Sequence, residues 1–481
     1  MTLEQGGTPD WVRDAVFYQV FPDRFAKSER VAKAGNLEAW DSPPTLAGYK
    51  GGDLLGVAEN LEYLRDLGVN ALYLNPVFQS ASNHRYHTHD YYRVDPMLGG
   101  DAALRELIDR AHDRGMRVIL DGVFNHASRG FFQFNDLLES GSASAYTDWF
   151  HVRHYPLHAY GGGELGYDAW WNIAALPKFN TDTPAVREFL LGVAEHWLRF
   201  GADGWRLDVP NEIDDDDFWR EFRARCRAVN PDAYLVGEIW DDAGRWLRGD
   251  TFDGVMNYPL TRAIFGLVGR SIDHEELSRS GLNGITPLDT RAFADTARRL
   301  LCHYPAEAVA GQLNLLGSHD TPRLLTSLGG DAQAARQALV LLFALPGAPC
   351  VYYGDELGLA GGHDPHCRQA MPWGDAATHD RETFALVRSL MTVRAESVEL
   401  RRGATELIAQ DDRVVAIRRG DGGNVIVLLN LADEGGAVST ATLVPGRYRD
   451  LLSGEPVSQG DDDGTRVQLP GRGWRFLQRL G

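Results

Sequence analysis

The sequence predicts a (β/α)8 barrel, interrupted after its third strand by an inserted subdomain and followed by a small antiparallel β domain. Three observations carry this. Between residues 15 and 397, short apolar runs alternate with amphipathic helical stretches, the rhythm of a parallel sheet wrapped by helices. Over residues 127–180 that rhythm stops, in a stretch rich in Gly, Ser, Tyr, Trp and His. Beyond about residue 400, strand-like runs follow one another with no helical stripe. The predicted boundaries are 1–126 and 181–397 for the barrel, 127–180 for the insert and 398–481 for the C-terminal domain.

The elements come in order. AVFYQVF (15–21) is the first strand-like run. VAENLEYLRDLG (57–68) follows as a helix, with Val57, Leu61 and Leu64 on one face and Gly68 as its C-cap. ALYL is the next strand, DAALRELIDRAHDRG a helix closed by Gly115, and MRVILDGV a strand again. After the insert, Thr183 is the predicted N-cap of a helix with Pro184 at its first position. Val186, Phe189, Leu190, Val193 and Trp197 form one apolar stripe on it. Counting onward gives eight strands: 15–20, 71–74, 117–122, 203–208, 234–238, 254–257, 313–317 and 350–353. An open doubly wound sheet is the alternative, but no Gly-rich phosphate fingerprint follows the first strand. In the C-terminal region RVVAIRR, NVIVLLNL and WRFLQRL read as strands, and GDGGN (420–424) as a hairpin turn.

Charge narrows the function. The 481 residues hold 48 Lys and Arg against 67 Asp and Glu, a formal net charge of −19. Nucleic acid and anionic membranes both call for a basic surface, so neither is an expected partner. No apolar run is long enough to span a bilayer, and MTLEQGGTPDWVRDAVFYQV lacks the pattern of a secretory signal. The 4 cysteines, Cys226, Cys302, Cys350 and Cys367, are too scattered for a disulfide framework. These features together predict a cytoplasmic protein.

In a barrel of this kind the chemistry sits at the C-terminal ends of the strands. Asp121, Asn125 and His126 lie at the end of the third strand, and Arg206 and Asp208 at the end of the fourth. Glu238 ends the fifth, and His319 and Asp320 the seventh. Residues two apart on a strand point the same way, so Arg206 and Asp208 are expected side by side, the guanidinium holding the carboxylate ionised. An ionised carboxylate and a protonated one, placed either side of a glycosidic bond, suffice to hydrolyse it.

The motifs then become specific. DGVFNH (121–126), GWRLDVPNE (204–212), EIW (238–240) and LGSHD (316–320) resemble, in order, the four signature regions of the α-amylase superfamily. GEIWDDAGRWLRGDTFDGVMNYPL, GAPCVYYGDELGL and LPKFN (176–180) resemble its neopullulanase, cyclomaltodextrinase and maltogenic amylase group. The resemblance implies a retaining α-glycosidase acting on α-1,4 bonds, with α-1,6 bonds as an open second linkage, in malto-oligosaccharides, cyclodextrins or related α-glucans. It implies Asp208 as nucleophile, Glu238 as general acid/base and Asp320 as the carboxylate that holds ring hydroxyls. It also implies Arg206 beside the nucleophile, His126 and His319 on the sugar, Asp121 orienting the network, Tyr86 stacking on the sugar and Asp90 as a nearby polar support. Arg323, in NLLGSHDTPR, joins the substrate-binding set. An α-glucanotransferase would use the same intermediate. A non-catalytic carbohydrate-binding relative would have lost acids that are all present here.

There are departures from the group. Its N-terminal β domain, used in dimerisation, is missing from this sequence, which leaves the oligomeric state open. Pro210 and Phe179 differ from its usual residues. Of the calcium site that the resemblance implies after the first strand, Gly51 and Asp53 are in place, but Lys27 stands where an amide or acid would be expected. No cofactor is expected to be required for the chemistry. Two other features have plainer readings: the acids at 214–217 as helix N-capping residues, and His84, His87 and His89 as loop histidines without zinc spacing. Trp170 and Trp171 fit either packing of the insert or binding of sugar.

Overall fold

The computed structural model describes residues 7–33, 35–374, 377–409, 411–439, 447–457 and 466–480. Its strands run, in chain order, β1 (Phe17–Val20), β2 (Ala71–Leu74), β3 (Phe78–Ser80), β4 (Thr88–Val94), β5 (Arg117–Gly122), β6 (Gly204–Leu207), β7 (Tyr234–Gly237), β8 (Gly254–Val255), β9 (Leu313–Leu315) and β10 (Ala348–Tyr352). Eight of them form one parallel sheet in the order β8-β7-β6-β5-β2-β1-β10-β9. A parallel bridge between Met256 and Leu313 joins its two ends and closes the cylinder. The predicted strands are all present within a few residues. They were legible because strands buried on both faces read as continuous apolar runs, and β1, β2, β6 and β7 are buried at every position.

The helices differ in detail from expectation. The single helix predicted over 57–68 is two, Leu54–Glu59 and Leu61–Leu67, broken at Asn60. Gly68 caps the second at φ 108°, a left-handed conformation open to glycine without penalty. Helix Pro184–Arg199 starts with proline as expected and buries Val186, Leu190, Val193 and Trp197. Thr183, however, gives its helix no side-chain cap; its hydroxyl donates to the Asp148 carbonyl at 2.6 Å, tying the helix start to the insert. The acids at 214–217 behave as capping residues: Asp215 accepts from the Phe218 N–H at 2.9 Å, and Asp216 and Asp217 fill the first turn.

β3 and β4 form an antiparallel ribbon after β2 that the sequence reading did not foresee. The insert carries one short α-helix that the sequence reading did not foresee, Phe132–Ser140, and is held mainly by aromatic packing. Phe134 meets Phe150 and Tyr167 at ring separations of 4.9 and 4.8 Å. Antiparallel bridges from His126 to Lys178 and from Phe150 to Phe179 fold its start and its middle against its end.

The C-terminal domain is antiparallel, as predicted. It contains β11 (Thr405–Ala409), β12 (Val414–Arg419), β13 (Val425–Asn430), β14 (Gly436–Ser439), β15 (Arg447–Asp450), β16 (Pro456–Val457), β17 (Arg466–Leu469) and β18 (Trp474–Leu480). Its first strand starts at Thr405, because Val398–Arg402 is a further short helix. The main sheet runs β11-β12-β13-β18-β15-β16. Alternation splits its side chains: Val415, Ile417, Val427 and Phe476 join the barrel core, while Val414, Ala416, Ile426 and Leu428 face a second, smaller core. Among the described residues no helix is long and apolar enough to cross a membrane.

Candidate active site

The four predicted acids come from separate strands and meet at one end of the cylinder. Asp121 lies in β5, Asp208 and Glu238 follow β6 and β7 directly, and Asp320 follows β9. Arg206, in β6 and without exposed surface, is the hub. Its Nη1 donates to Asp121 at 2.8 and 2.9 Å and to Asp208 at 3.1 Å, and its Nη2 stands 2.9 Å from Glu238 Oε1. The two-residue spacing therefore brings Arg206 and Asp208 together as expected.

The charge balance is different from the expected simple pair. One guanidinium is divided among three carboxylates, so its hold on each is weakened. Burial lifts the Asp208 carboxyl well above the ordinary carboxylate range; Arg206 opposes this, while Glu238, Asp121 and Asp320 reinforce it. Burial raises Asp121 also, again against Arg206. Asp320 is pushed up to about 7, first by burial and then by Glu238. Burial thus holds Asp121, Asp208 and Asp320 each toward the protonated form.

Around them lies a network of neutral donors and acceptors. His319 Nδ1 receives the side-chain amides of Gln19 at 2.9 Å and Asn75 at 3.1 Å. That leaves its proton on Nε2, which faces the Tyr86 hydroxyl at 2.7 Å and Asp320 at 3.1 Å. Tyr86 in turn donates to Asp121 at 2.7 Å, beside a second hydroxyl from Tyr73 at 2.9 Å. Burial drives the pKa of His319 well down, and that of His126 to about 3, so both rings are neutral at ordinary pH. His126 Nδ1 lies 3.2 Å from the Asn125 amide, and its Nε2 has no protein partner.

Glu238 is held on both oxygens. Oε2 accepts the Val209 N–H at 3.1 Å and Oε1 the Trp240 indole N–H at 3.2 Å. Val209 achieves this with φ 35°, ψ 51°, left-handed for a β-branched residue, a conformation that costs about 1–3 kcal/mol and persists where the surroundings enforce it.

Two of the predicted residues lie outside this cluster. Asp90 pairs with Gln79 across the β3–β4 ribbon, and its carboxylate accepts the Tyr92 N–H at 2.8 Å. Arg323 is fully buried and donates to the Tyr353 carbonyl at 2.6 Å and to Asp355 at 3.2 Å, with its guanidinium over both Tyr352 and Tyr353. It braces the loop after β9 against the end of β10. Conversely, the sequence reading missed Arg368, whose Nη2 pairs with Asp320 at 3.2 Å and whose Nε donates to the His319 carbonyl at 2.8 Å. It missed Tyr73 and Trp240 too. Tyr73 alone left a trace: it is the one polar tip in the strand ALYL.

The loop after β1 carries the residues of the implied cation site, Gly51 and Asp53. Asp53 Oδ1 caps a helix through the Gly56 N–H at 2.7 Å. Its Oδ2 accepts the Ser28 N–H at 2.9 Å and the Lys33 ammonium at 2.8 Å. The same ammonium donates to the Met97 carbonyl at 2.7 Å, and Lys27 lies over the Trp40 ring instead. Calcium takes six to eight oxygen ligands. Gly51 and Asp53 with an ammonium among them do not fit it, and no described group of three or more His, Cys, Asp or Glu is placed to hold a metal.

Comparison with known proteins agrees with this geometry. Residues 19–397 match the family model described as the alpha amylase catalytic domain. The chain is 42% identical over 472 residues to a cyclomaltodextrinase of Geobacillus thermopakistaniensis, an alignment covering 97% of this chain and 77% of that protein. Among solved structures, Ttha1563 from Thermus thermophilus superposes with a TM-score of 0.93 at 49% identity, covering 98% of this chain and 100% of the other. A debranching enzyme from Nostoc punctiforme, soaked with acarbose, gives 0.87 at 44% identity, covering 98% and 99%. With its carboxylates gathered at the mouth of a closed barrel, the chain belongs to the α-amylase family of glycoside hydrolases.

Proposed function

We propose that this protein hydrolyses α-1,4 and α-1,6 glucosidic bonds in malto-oligosaccharides and cyclodextrins by double displacement, with retention at the anomeric carbon. One observation carries the reading: Asp208 and Glu238 share the guanidinium of Arg206, with Asp320 beside them. Carboxylates gathered on one cation favour the short spacing of about 5–5.5 Å that retention needs, over the wider gap that admits a water. Asp208 attacks the anomeric carbon while Glu238 protonates the departing oxygen. Glu238 then takes a proton from the water that releases the sugar. The neutral His126 and His319 and the carboxylate of Asp320 are placed to hold the sugar's hydroxyls. The cyclomaltodextrinase and debranching-enzyme relatives support both linkages.

Incubation with maltotriose, β-cyclodextrin and pullulan, with chromatography of the products and NMR of the first anomer released, tests this. Shorter sugars released in the α form are expected. No cleavage of any of the three, or initial β product, overturns it; products longer than the substrate would reassign the second step to a sugar acceptor.

The protein also works without calcium on this reading, the Asp53 carboxylate being taken up by the Lys33 ammonium and two backbone N–H groups. A metal at a hundred times its Kd would add about 2.7 kcal/mol. The melting temperature is therefore expected to be unmoved by EDTA or by excess Ca²⁺, whereas Lys33→Met, which strands the Asp53 carboxylate, is expected to cost about 1–3 kcal/mol. A melting point that falls on chelation refutes the assignment. The buried thiols of Cys226, Cys350 and Cys367, all unpaired, fit residence in a reducing compartment such as the cytoplasm.

A further inference from the structure

Trp171 stands out among the large apolar side chains. It is 78% exposed, on the insert whose end pairs with His126 and, through Lys178, with Glu212 beyond Asp208. Its backbone is left-handed at φ 49°, and Asn172 follows at φ 58°. Two consecutive non-glycine residues in this region are costly, and such strain persists where the surroundings enforce it and collects at functional sites. The insert does not need this indole for its core, which is built from Phe134, Phe150 and Tyr167. Neither burial nor relaxed backbone explains the position.

The ring is nonetheless ordered by its neighbours. Trp171 stacks on Trp170 at 4.6 Å and 9°, and Trp170 stacks on His126 at 5.7 Å and 23°. The row begins at the site itself, since His126 is on the loop that leaves β5 five residues after Asp121. Its inner end carries polar atoms with no partner in the protein: His126 Nε2, on a side chain 2% exposed, and the Trp170 indole nitrogen. An aromatic face leading outward, with hydrogen-bonding atoms at its root, suits a ligand that is apolar on its faces and polar on its edges. A pyranose ring is such a ligand, with C–H groups on its faces and hydroxyls on its rim.

We propose that Trp171 is a platform for a glucose unit of an α-glucan beyond those held at the acids, so that the insert selects for chain length. The proposal rests on the hydrolytic reading above and adds a residue to it. Rings stacked on Trp171 exist only in substrates long enough to reach it. Its contribution therefore enters through the binding of long chains and is absent for short ones.

The test compares Trp171→Ala and Trp171→Phe with the parent on maltotriose and maltohexaose. Trp171→Ala is expected to lower kcat/KM for maltohexaose about tenfold, equivalent to about 1.4 kcal/mol, mainly through KM. Maltotriose is expected to be cut at the parent rate, and Trp171→Phe to recover most of the loss. Equilibrium binding of maltohexaose to the Asp208→Asn protein, with and without Trp171→Ala, gives the same comparison without turnover. It separates failure of this proposal from failure of the hydrolytic reading: a parent that cuts nothing removes the latter, while binding still reports on Trp171. Equal loss on both sugars, no loss on either, or binding of maltohexaose unchanged by Trp171→Ala overturns the platform. So does a concentration-dependent dimer in sedimentation that Trp171→Ala abolishes without any chain-length effect, which would assign the face to a second copy of this chain.

Discussion

Replacing Asp208 with asparagine is expected to cut kcat about 10⁴-fold or more and, at pH 8, to raise the melting temperature. The first effect follows from removing the atom that would bond the anomeric carbon; losses of this size accompany loss of a nucleophile. The second follows from the electrostatics of the cluster. The Asp208 carboxyl is raised well above its ordinary value, chiefly by burial. A carboxyl raised in the folded state holds its proton more tightly there than in the unfolded chain. Its contribution to stability is complete below the unfolded value of about 3.9 and is lost as pH climbs through the folded value. At pH 8 the buried carboxyl therefore costs the folded state stability, either as a charge or as a proton that the unfolded chain has already lost, and the neutral amide relieves that cost. The gain should shrink as pH falls toward about 4, where both states are protonated. Thermal melts of parent and variant at several pH values, beside turnover, measure both effects. An active Asp208→Asn protein removes the nucleophile assignment, and one equally destabilised at every pH removes the electrostatic account.

Arg206→Met is expected to be the most damaging single change to stability. It removes the cation paired with Asp121, Asp208 and Glu238 and leaves these carboxyls buried together. Breaking a buried pair by deleting one partner costs about 3–5 kcal/mol. With the guanidinium gone the raised carboxyls of Asp121 and Asp208 move further up, so the deficit is largest at alkaline pH and eases as acid protonates them. Denaturant unfolding near pH 5.5 and pH 8 should show the difference, with activity lost at both. Arg206→Lys is not expected to rescue, because a single ammonium cannot meet three carboxylates from the plane of a fork. Equal stability of parent and Arg206→Met at pH 8 would mean that the acids are held apart by packing and not by this cation.

Much of this was legible from residue order, for identifiable reasons. Strands buried on both faces leave apolar runs, and a charged residue closing such a run is costly unless it has a task, so Asp208 and Glu238 showed themselves. Arg368 did not, because it arrives from an irregular loop after β10 and reaches Asp320 only through folding. Tyr86 was placed by motif, but the ribbon that presents it, residues Phe78–Ser80 with Thr88–Val94, has bulged register and too little alternation to announce itself. Thr183 has the right residue type for a cap, yet the Asp148 carbonyl is a competing partner. Arg323 sits in a motif, and its surroundings turn it toward Tyr352 and Asp355 and away from the acids. The upward push on Asp208 was hidden for a related cause: a sequence shows that an arginine is adjacent, but not how many carboxylates it must serve.

The circular wall around these groups is unevenly laced. Between the staves bearing Glu238 and Asp320 lies β8, only two residues long, and a lone bridge from Met256 to Leu313 completes the ring there. Elsewhere neighbouring staves share two to four registered pairs. Glu238 and Asp320, the proposed proton donor and hydroxyl-holding carboxylate, thus stand on either side of the least bonded joint of the cylinder. Fewer backbone hydrogen bonds resist a change in that gap than resist one between Asp208 and either of its neighbouring strands.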